Sequence, residues 1–233
     1  MKLAIMQPYL FPYIGYFQLM KSCDHFVVYD DVQFIKSGWI NRNRLLSNGQ
    51  PCYFNFRLRG GSTFDMINEK VFIDQIDRDK DKFLKSLQGM YGKAPYFAQT
   101  FELIRGIISC DETNVSRFVA HTLQELAKYF ELDITFHIAS ELGIPEGLHG
   151  QDRVIWVNNH LGADEYINVA GGMELYDRDV FRQHGIELKF LKPGIREYPQ
   201  FKNEFVPGLS IIDVMMFNSK ETVLEMLGDY QLI

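Results

Sequence analysis

At 233 residues, 46 % hydrophobic and 23 % charged, the chain has the size and composition of one ordinary globular domain. A formal charge of −6 argues against general nucleic-acid binding, and no apolar run approaches the roughly 20 residues of a membrane span. No signal-peptide pattern opens the chain, so a cytoplasmic protein is expected; Cys23, Cys52 and Cys110, odd in number and widely spaced, argue against a disulfide scaffold or a zinc knuckle.

Leu3-Ala4-Ile5-Met6 reads as a buried first strand. Gln7-Pro8-Tyr9-Leu10-Phe11-Pro12-Tyr13-Ile14-Gly15-Tyr16 then breaks the chain's direction and feeds a helix from Phe17. Backbone N–H groups freed at such a turn suit an anionic ligand. Asp24–Asp31 is a second strand ending in two acids. In open α/β sheets ligands collect at the C-terminal ends of strands, so Asp30, Asp31 and the first loop are expected on one edge. The stretch from Val32 to Arg44 is too polar for a core strand and too aromatic for a linker. Lys36, Arg42, Arg44, Arg57 and Arg59 make a local basic region that fits a small anion such as a nucleotide diphosphate better than a polymer.

Tyr53–Leu58 alternates as a half-buried strand does, and Val71–Asp74 is a candidate strand. Helices follow at Asp79–Met90, Gln99–Ser109 and Asn114–Phe130, a helical subdomain over about 79–130 inserted between two α/β halves. Ile134–Ala139 is a strand, Gln151–Leu161 a helix closed by Gly162, and Glu165–Val169 a strand ending in the Gly171-Gly172 loop. A helix through Asp177–His184 leads to the strand Glu187–Leu191, completing a βαβ unit and predicting a parallel sheet. Ser210 is a candidate N-cap for a helix through Phe217. The expected fold is α/β, a Rossmann-like, mostly parallel sheet in a single domain over 1–233.

The candidate chemistry follows from this placement. Asp30 or Asp31 would act as general base, and Lys36 with Arg42 would clamp a diphosphate. Trp39, Tyr13 or Tyr16 would stack on a base or sugar ring; Asn41 and Asn43 would bind a sugar or an oxyanion. Gly171-Gly172 permits close backbone approach, with Glu174 and Tyr176 at its rim. The competing reading of each is structural: a charged strand end, an anchored loop, a tight βα turn. No metal-ligand spacing is present among the histidines, and His25 and His137 read as strand residues.

Three blocks resemble the WbqC-like family of bacterial surface-polysaccharide biosynthesis proteins. They are Gln7–Phe17, Phe34–Arg44 and a C-terminal set containing Ser140-Glu141-Leu142, Leu161–Asn168, Gly171–Tyr176 and Leu209–Asp213. The resemblance covers nearly the whole chain. It implies a role in O-antigen, capsule or related glycan assembly: transfer of an acyl or aminoacyl group to a nucleotide-linked amino sugar. Gln7 joins the substrate-binding set as one of two glutamines packed among the tyrosines of the first loop. The donor would be a thioester on the phosphopantetheine of an acyl carrier protein, with no cofactor resident in the chain. The family's Lys-His pair is here Lys82-Phe83, so a histidine base would be lost. Tyr13-Ile14-Gly15-Tyr16 is also similar in place to the His-Ile-Gly-His signature of adenylyl-transferring α/β enzymes, which makes a nucleotidyl transferase the alternative. Tyrosine supplies no positive charge there. A non-catalytic sugar-nucleotide or partner-binding protein is the remaining rival.

Overall fold

The structure is a computed structural model and describes every residue except Thr63. The first part contains β1 (Lys2–Met6), α1 (Ile14–Lys21), β2 (His25–Val28), β3 (Arg42–Ser47) and β4 (Gln50–Asn55). Three longer helices follow, α2 (Ile76–Tyr91), α3 (Phe97–Ile108) and α4 (Val115–Tyr129). The chain then alternates through β5 (Thr135–Ile138), α5 (Gly150–Leu161), β6 (Glu165–Val169), α6 (Arg178–Gln183) and β7 (Glu187–Pro193). It ends with α7 (Ile211–Phe217), α8 (Lys220–Met226) and β8 (Tyr230–Leu232).

Six strands form the main sheet in the order β5-β2-β1-β6-β7-β8, parallel except for the last. The expected Rossmann-like, mostly parallel architecture is present. Alternation sets the two layers: Ala4, Phe26 and Val28 belong to one buried cluster, Leu3, Ile5 and Val27 to the other. The first face carries α1, α4 and α7, and Phe83, Leu87 and Ile104 of α2 and α3 continue the same cluster. The second face carries α5 and α6 through Val154, Ile155, Val157 and Phe181. From β1 the chain moves outward to β2 and β5, then returns to β6 on the other side of β1. That reversal makes the C-terminal ends of β1 and β6 the switch point of the sheet.

Two expectations need correcting. The strand expected at Tyr53–Leu58 is β4, shifted toward the N-terminus and paired with β3 in a separate two-stranded hairpin, Arg42 opposite Asn55. The ladder stops there because Phe56 turns into the core, its N–H donating to the Asn41 carbonyl. Val71–Asp74 forms no strand; it has only single bridges, Val71 to Asn114 and Phe72 to Leu58. Local signals fared better: the Ser210 side chain accepts from Ile212 N at 3.3 Å as N-cap of α7, and Gly162 closes α5 at φ +75°.

The C-terminal layer is anchored by a buried carboxylate. Asp213 accepts from the Tyr91 hydroxyl at 2.8 Å, the Tyr198 hydroxyl at 2.7 Å and Gln200 Nε2 at 2.7 Å. Burial pushes the carboxyl up from its ordinary value, while these three donors oppose the rise. The Tyr91 hydroxyl also accepts from Leu46 N at 2.7 Å, so one acid ties α7 to α2, β3 and the 198–200 loop. Removing it would leave three donors unpaired, at roughly 1–3 kcal/mol each before relaxation. Asp213→Ala is therefore expected to lower unfolding free energy by about 3 kcal/mol, read as a shifted urea midpoint at unchanged slope. A loss below about 1 kcal/mol would show that the network does not hold the layer.

Candidate functional site

The bend after β1 is built by hydrogen bonds from residues distant in sequence. Phe11 sits at φ 43°, a left-handed conformation costly for a non-glycine residue. Asn43 Nδ2 donates to the carbonyls of Leu10 and Phe11, both at 2.9 Å, and the Ser210 hydroxyl donates to Phe11 O at 2.7 Å. Ile211 N closes on Pro12 O at 2.8 Å, and Leu10 N donates to Trp39 O at 2.9 Å. Asn43, expected as a sugar ligand, is thus consumed as an anchor, its Oδ1 accepting from Arg44 N at 2.8 Å. Tyr16 is consumed likewise. Its ring is buried and its hydroxyl donates to Gln7 O at 2.8 Å, so it fixes the loop rather than facing a ligand.

The bend and the Trp39 segment meet around a cavity of about 260 Å³ lined by Tyr9, Pro12, Tyr13, Trp39, Asn43, Arg44 and Gly208. Burial pushes the phenols of Tyr9 and Tyr13 up, so both remain donors at neutral pH. The Tyr13 ring lies over Gly15: a Cβ there would come within 2.4 Å of Tyr13 Cε2. Trp39 stacks on Tyr53 with centroids 6.2 Å apart, and the guanidinium of Arg44 lies 5.4 Å from the Trp39 ring. Arg44 donates to Gly208 O at 3.1 Å, and its buried Nε has no partner.

Next to this pair a second cavity, about 570 Å³, is lined by Lys36, Asn41, Arg42, Tyr53, Asn55 and Arg57 among others. Arg42 holds its own loop, with Nε donating to Gly38 O at 3.0 Å and Nη2 to Ser37 O, and its guanidinium lies 4.7 Å from the Tyr53 ring. Asn41 Nδ2 is bound to Phe56 O at 2.8 Å. The basic region divides by charge partner. Arg57 is paired with Asp79 and Arg59 with Asp74, whereas Lys36, Arg42 and Arg44 have no carboxylate partner among the described residues.

The remaining candidates lie elsewhere. Asp30 is buried and accepts from the Ser116 hydroxyl, Ser140 N and the Ser140 hydroxyl at 2.9–3.0 Å. With its carboxylate so occupied it pins β2 to α4 and to the turn after β5, which corrects its reading as a free base. Asp31 pairs with Arg153, a residue no local pattern singles out; among the described residues, Asp31 Oδ1 and Arg153 Nε are buried without hydrogen-bond partners. The Arg153 guanidinium lies 5.3 Å from the Tyr29 ring. Burial pushes the Tyr29 phenol up to about 12, with Arg153 opposing and Asp31 and Tyr176 reinforcing. Burial also raises the Asp31 carboxyl, Arg153 opposing.

Tyr176 packs against Tyr166 and Phe181 in the cluster on the second face of the sheet. Gly171 and Glu174 are exposed in the 3₁₀ turn after β6. Gly172 is buried, and a Cβ there would lie 2.8 Å from Asn168 Nδ2, so its smallness serves packing against Asn168. The structure thus brings the bend and the Trp39 segment together, and groups Asp31 and Tyr176 with Arg153 and Tyr29. His25 and His137 are bound to each other at 2.9 Å, His25 opening β2 at the edge opposite these sites. Phe83 lies in the core 4.6 Å from Phe54 and 6.1 Å from Phe11.

A doubly wound α/β domain with an aromatic, cation-flanked cavity beside its first loop is the class that fold and site define. The family model described as the WbqC-like protein family matches residues 7–225, and the chain belongs to that family. It is also 26 % identical over 219 residues to the uncharacterized protein Rv1507c of Mycobacterium tuberculosis strain H37Rv, with 93 % of each chain covered. No solved structure matches the chain.

Arg153 is the cation that opposes the rise of Asp31. Carboxyl-resolved NMR titration is expected to find Asp31 above the ordinary aspartate value of about 3.9, and Arg153→Met to move it higher still. An acid raised by folding binds more protons folded than unfolded, so its contribution to stability falls as pH climbs from about 3.9 through the elevated value. An Asp31 that titrates at or below the ordinary value would contradict the burial assigned to it.

Proposed function

We propose that this protein acts in surface-glycan biosynthesis, transferring an acyl or aminoacyl group to an amino sugar carried on a nucleotide diphosphate. The observation that carries the reading is the meeting of the Tyr9–Tyr13 bend with Trp39 around one cavity, beside three cations with no carboxylate partner among the described residues. Aromatic faces suit a sugar or base ring, and Lys36, Arg42 and Arg44 suit a diphosphate. In the transfer, the amine nitrogen bonds to the acyl carbon as the carbon–sulfur bond of a carrier-protein thioester breaks. The amine's proton leaves to a base and the sulfur departs as a thiolate, which is then protonated. Of the two acids Asp31 is the less committed, its carboxyl raised and one oxygen without a hydrogen-bond partner among the described residues. But it lies with Arg153 and Tyr29 and lines neither cavity, so the base role requires the amine to extend out of the aromatic cavity toward it.

A second reading, binding of the sugar nucleotide without turnover, is favoured by the cavity's described lining, which contains neither a carboxylate nor a histidine. The nucleotidyl-transferase alternative has less support, since the Tyr16 hydroxyl is committed to Gln7 O. Mass detection of an N-acylated nucleotide sugar, with an acyl carrier thioester as donor, separates transfer from binding alone.

Trp39 and Trp156 are the two tryptophans of the chain, so Trp156→Phe leaves Trp39 as sole reporter. Titration with UDP- or dTDP-linked amino sugars is expected to quench it saturably. Arg44→Ala should weaken the binding about tenfold or more, the loss of one charge-assisted contact. No saturable change with any such ligand, confirmed by calorimetry, would overturn the reading. Gly15→Ala offers a subtler check. Its methyl must displace the Tyr13 ring, so affinity should fall while stability changes by no more than about 1 kcal/mol. Unchanged affinity would remove Tyr13 from the site.

A further inference from the structure

A third cavity, about 370 Å³, lies between β4 and α2, with Tyr53, Asn55, Arg57, Arg78, Lys82 and Ser86 in its lining. It shares Tyr53, Asn55 and Arg57 with the cavity that holds Lys36 and Arg42, so one groove crosses the outer face of the hairpin. Arg78, Lys82 and Lys85 stand at i, i+4 and i+7 on α2, one stripe of a helix rising about 10 Å. All three are exposed, and none has a hydrogen-bond or ion-pair partner for its side chain among the described residues. Of the acids nearby, Asp79 is taken by Arg57 and Asp77 lies 3.7 Å from Lys80, which leaves Asp81 on the adjoining stripe. In a chain of net charge −6 this is a segregated cationic face. Its lining is partly aromatic, and Tyr53 is 55 % exposed.

We infer that this groove is the docking surface for an acidic helix of a partner protein. The inference deepens the transfer reading and rests on it, because that reading requires a second protein to bring the acyl group. Acids one turn apart on a partner helix match the spacing of Arg78, Lys82 and Lys85. Tyr53 offers an aromatic anchor at the centre of the contact, and Ser86, a small residue, leaves room for a ridge of side chains at the groove's end. A polymeric anion is disfavoured, since the rest of the surface is net acidic and would repel a long chain. A partner seated here lies one stacked ring pair, Tyr53 on Trp39, from the aromatic cavity.

The test uses the full chain and a bacterial holo-acyl carrier protein as probe, with binding measured by calorimetry at low and at raised salt. Binding is expected to weaken with salt and to fall at least tenfold in the combined variant Arg78→Glu, Lys82→Glu, Lys85→Glu. A carrier variant whose helix acids are replaced by lysine should recover binding to that charge-reversed chain. Quenching of Trp39 by the nucleotide sugar is expected to be unchanged in the same variant, which separates the two readings. Sugar-nucleotide quenching without carrier binding would overturn the docking surface and leave the sugar site standing. Equal carrier affinity in the reversed variant, or its loss of sugar-nucleotide quenching, would also overturn it, and so would tighter binding of a single-stranded DNA oligonucleotide than of the carrier.

Discussion

The arrangement of the site depends on a single unfavourable backbone conformation being held. A phenylalanine at φ 43° costs on the order of 1–3 kcal/mol and survives only where its surroundings over-determine it. Here the Asn43 amide and the Ser210 hydroxyl both claim its carbonyl, and the flanking carbonyls of Leu10 and Pro12 are taken by Asn43 and Ile211 N. These contacts join residues about 30 and 200 positions apart in the chain. Once made, they place Tyr9 and Tyr13 against Trp39 and Arg44, because Asn43 sits between those two residues in sequence and cannot reach the bend without bringing them along.

Much of this architecture is legible in the amino-acid sequence, for identifiable reasons. Strands buried on both faces, helices with one apolar stripe, and caps such as Ser210 and Gly162 carry their signals within a few residues. The hairpin register is less legible. It is decided by where Phe56 must enter the core, a fact about distant neighbours such as Phe72, Phe83 and Phe118. Among candidate ligands, Trp39, Tyr13, Arg42 and Lys36 line cavities, while Asn43, Tyr16 and Asp30 are spent on holding the chain. Residue type cannot separate these uses, since a buried anchor and a ligand both demand a hydrogen-bonding group near the strand ends. Arg153 carried no local signal at all. Only the folding of α5 onto the second face of the sheet brings it to Asp31.

Charge shows the same division between support and availability. The chain contains several arginines and lysines near the hairpin, but α2 and its approach neutralise some of them: Asp79 takes Arg57 in a bidentate pair and Asp74 takes Arg59. Lys70 is likewise bound to Asp65 at 2.8 Å. What is left uncompensated is therefore a selection, Lys36, Arg42 and Arg44 on one side of Tyr53 and the α2 stripe on the other. An unpaired surface cation costs little in water, so nothing in folding requires a carboxylate beside it. Its electrostatic field remains available to an incoming anion, and the side-chain stacks on Trp39 and Tyr53 hold Arg42 and Arg44 in place before any ligand arrives.

The carboxylates withdrawn from solvent differ in how fully their oxygens are satisfied. Asp30 and Asp213 each receive three donors and each joins elements far apart in the chain, so both are conformational anchors. Asp31 differs in kind. It has one cationic partner, one buried oxygen without a hydrogen bond, and a carboxyl raised by burial. A group left under-satisfied in a partly buried position keeps an unmet demand for a proton or a donor. Adjacent residues just beyond the end of β2 thus have different surroundings: the side chain of Asp30 meets Ser116 and Ser140, and that of Asp31 meets Arg153 of α5.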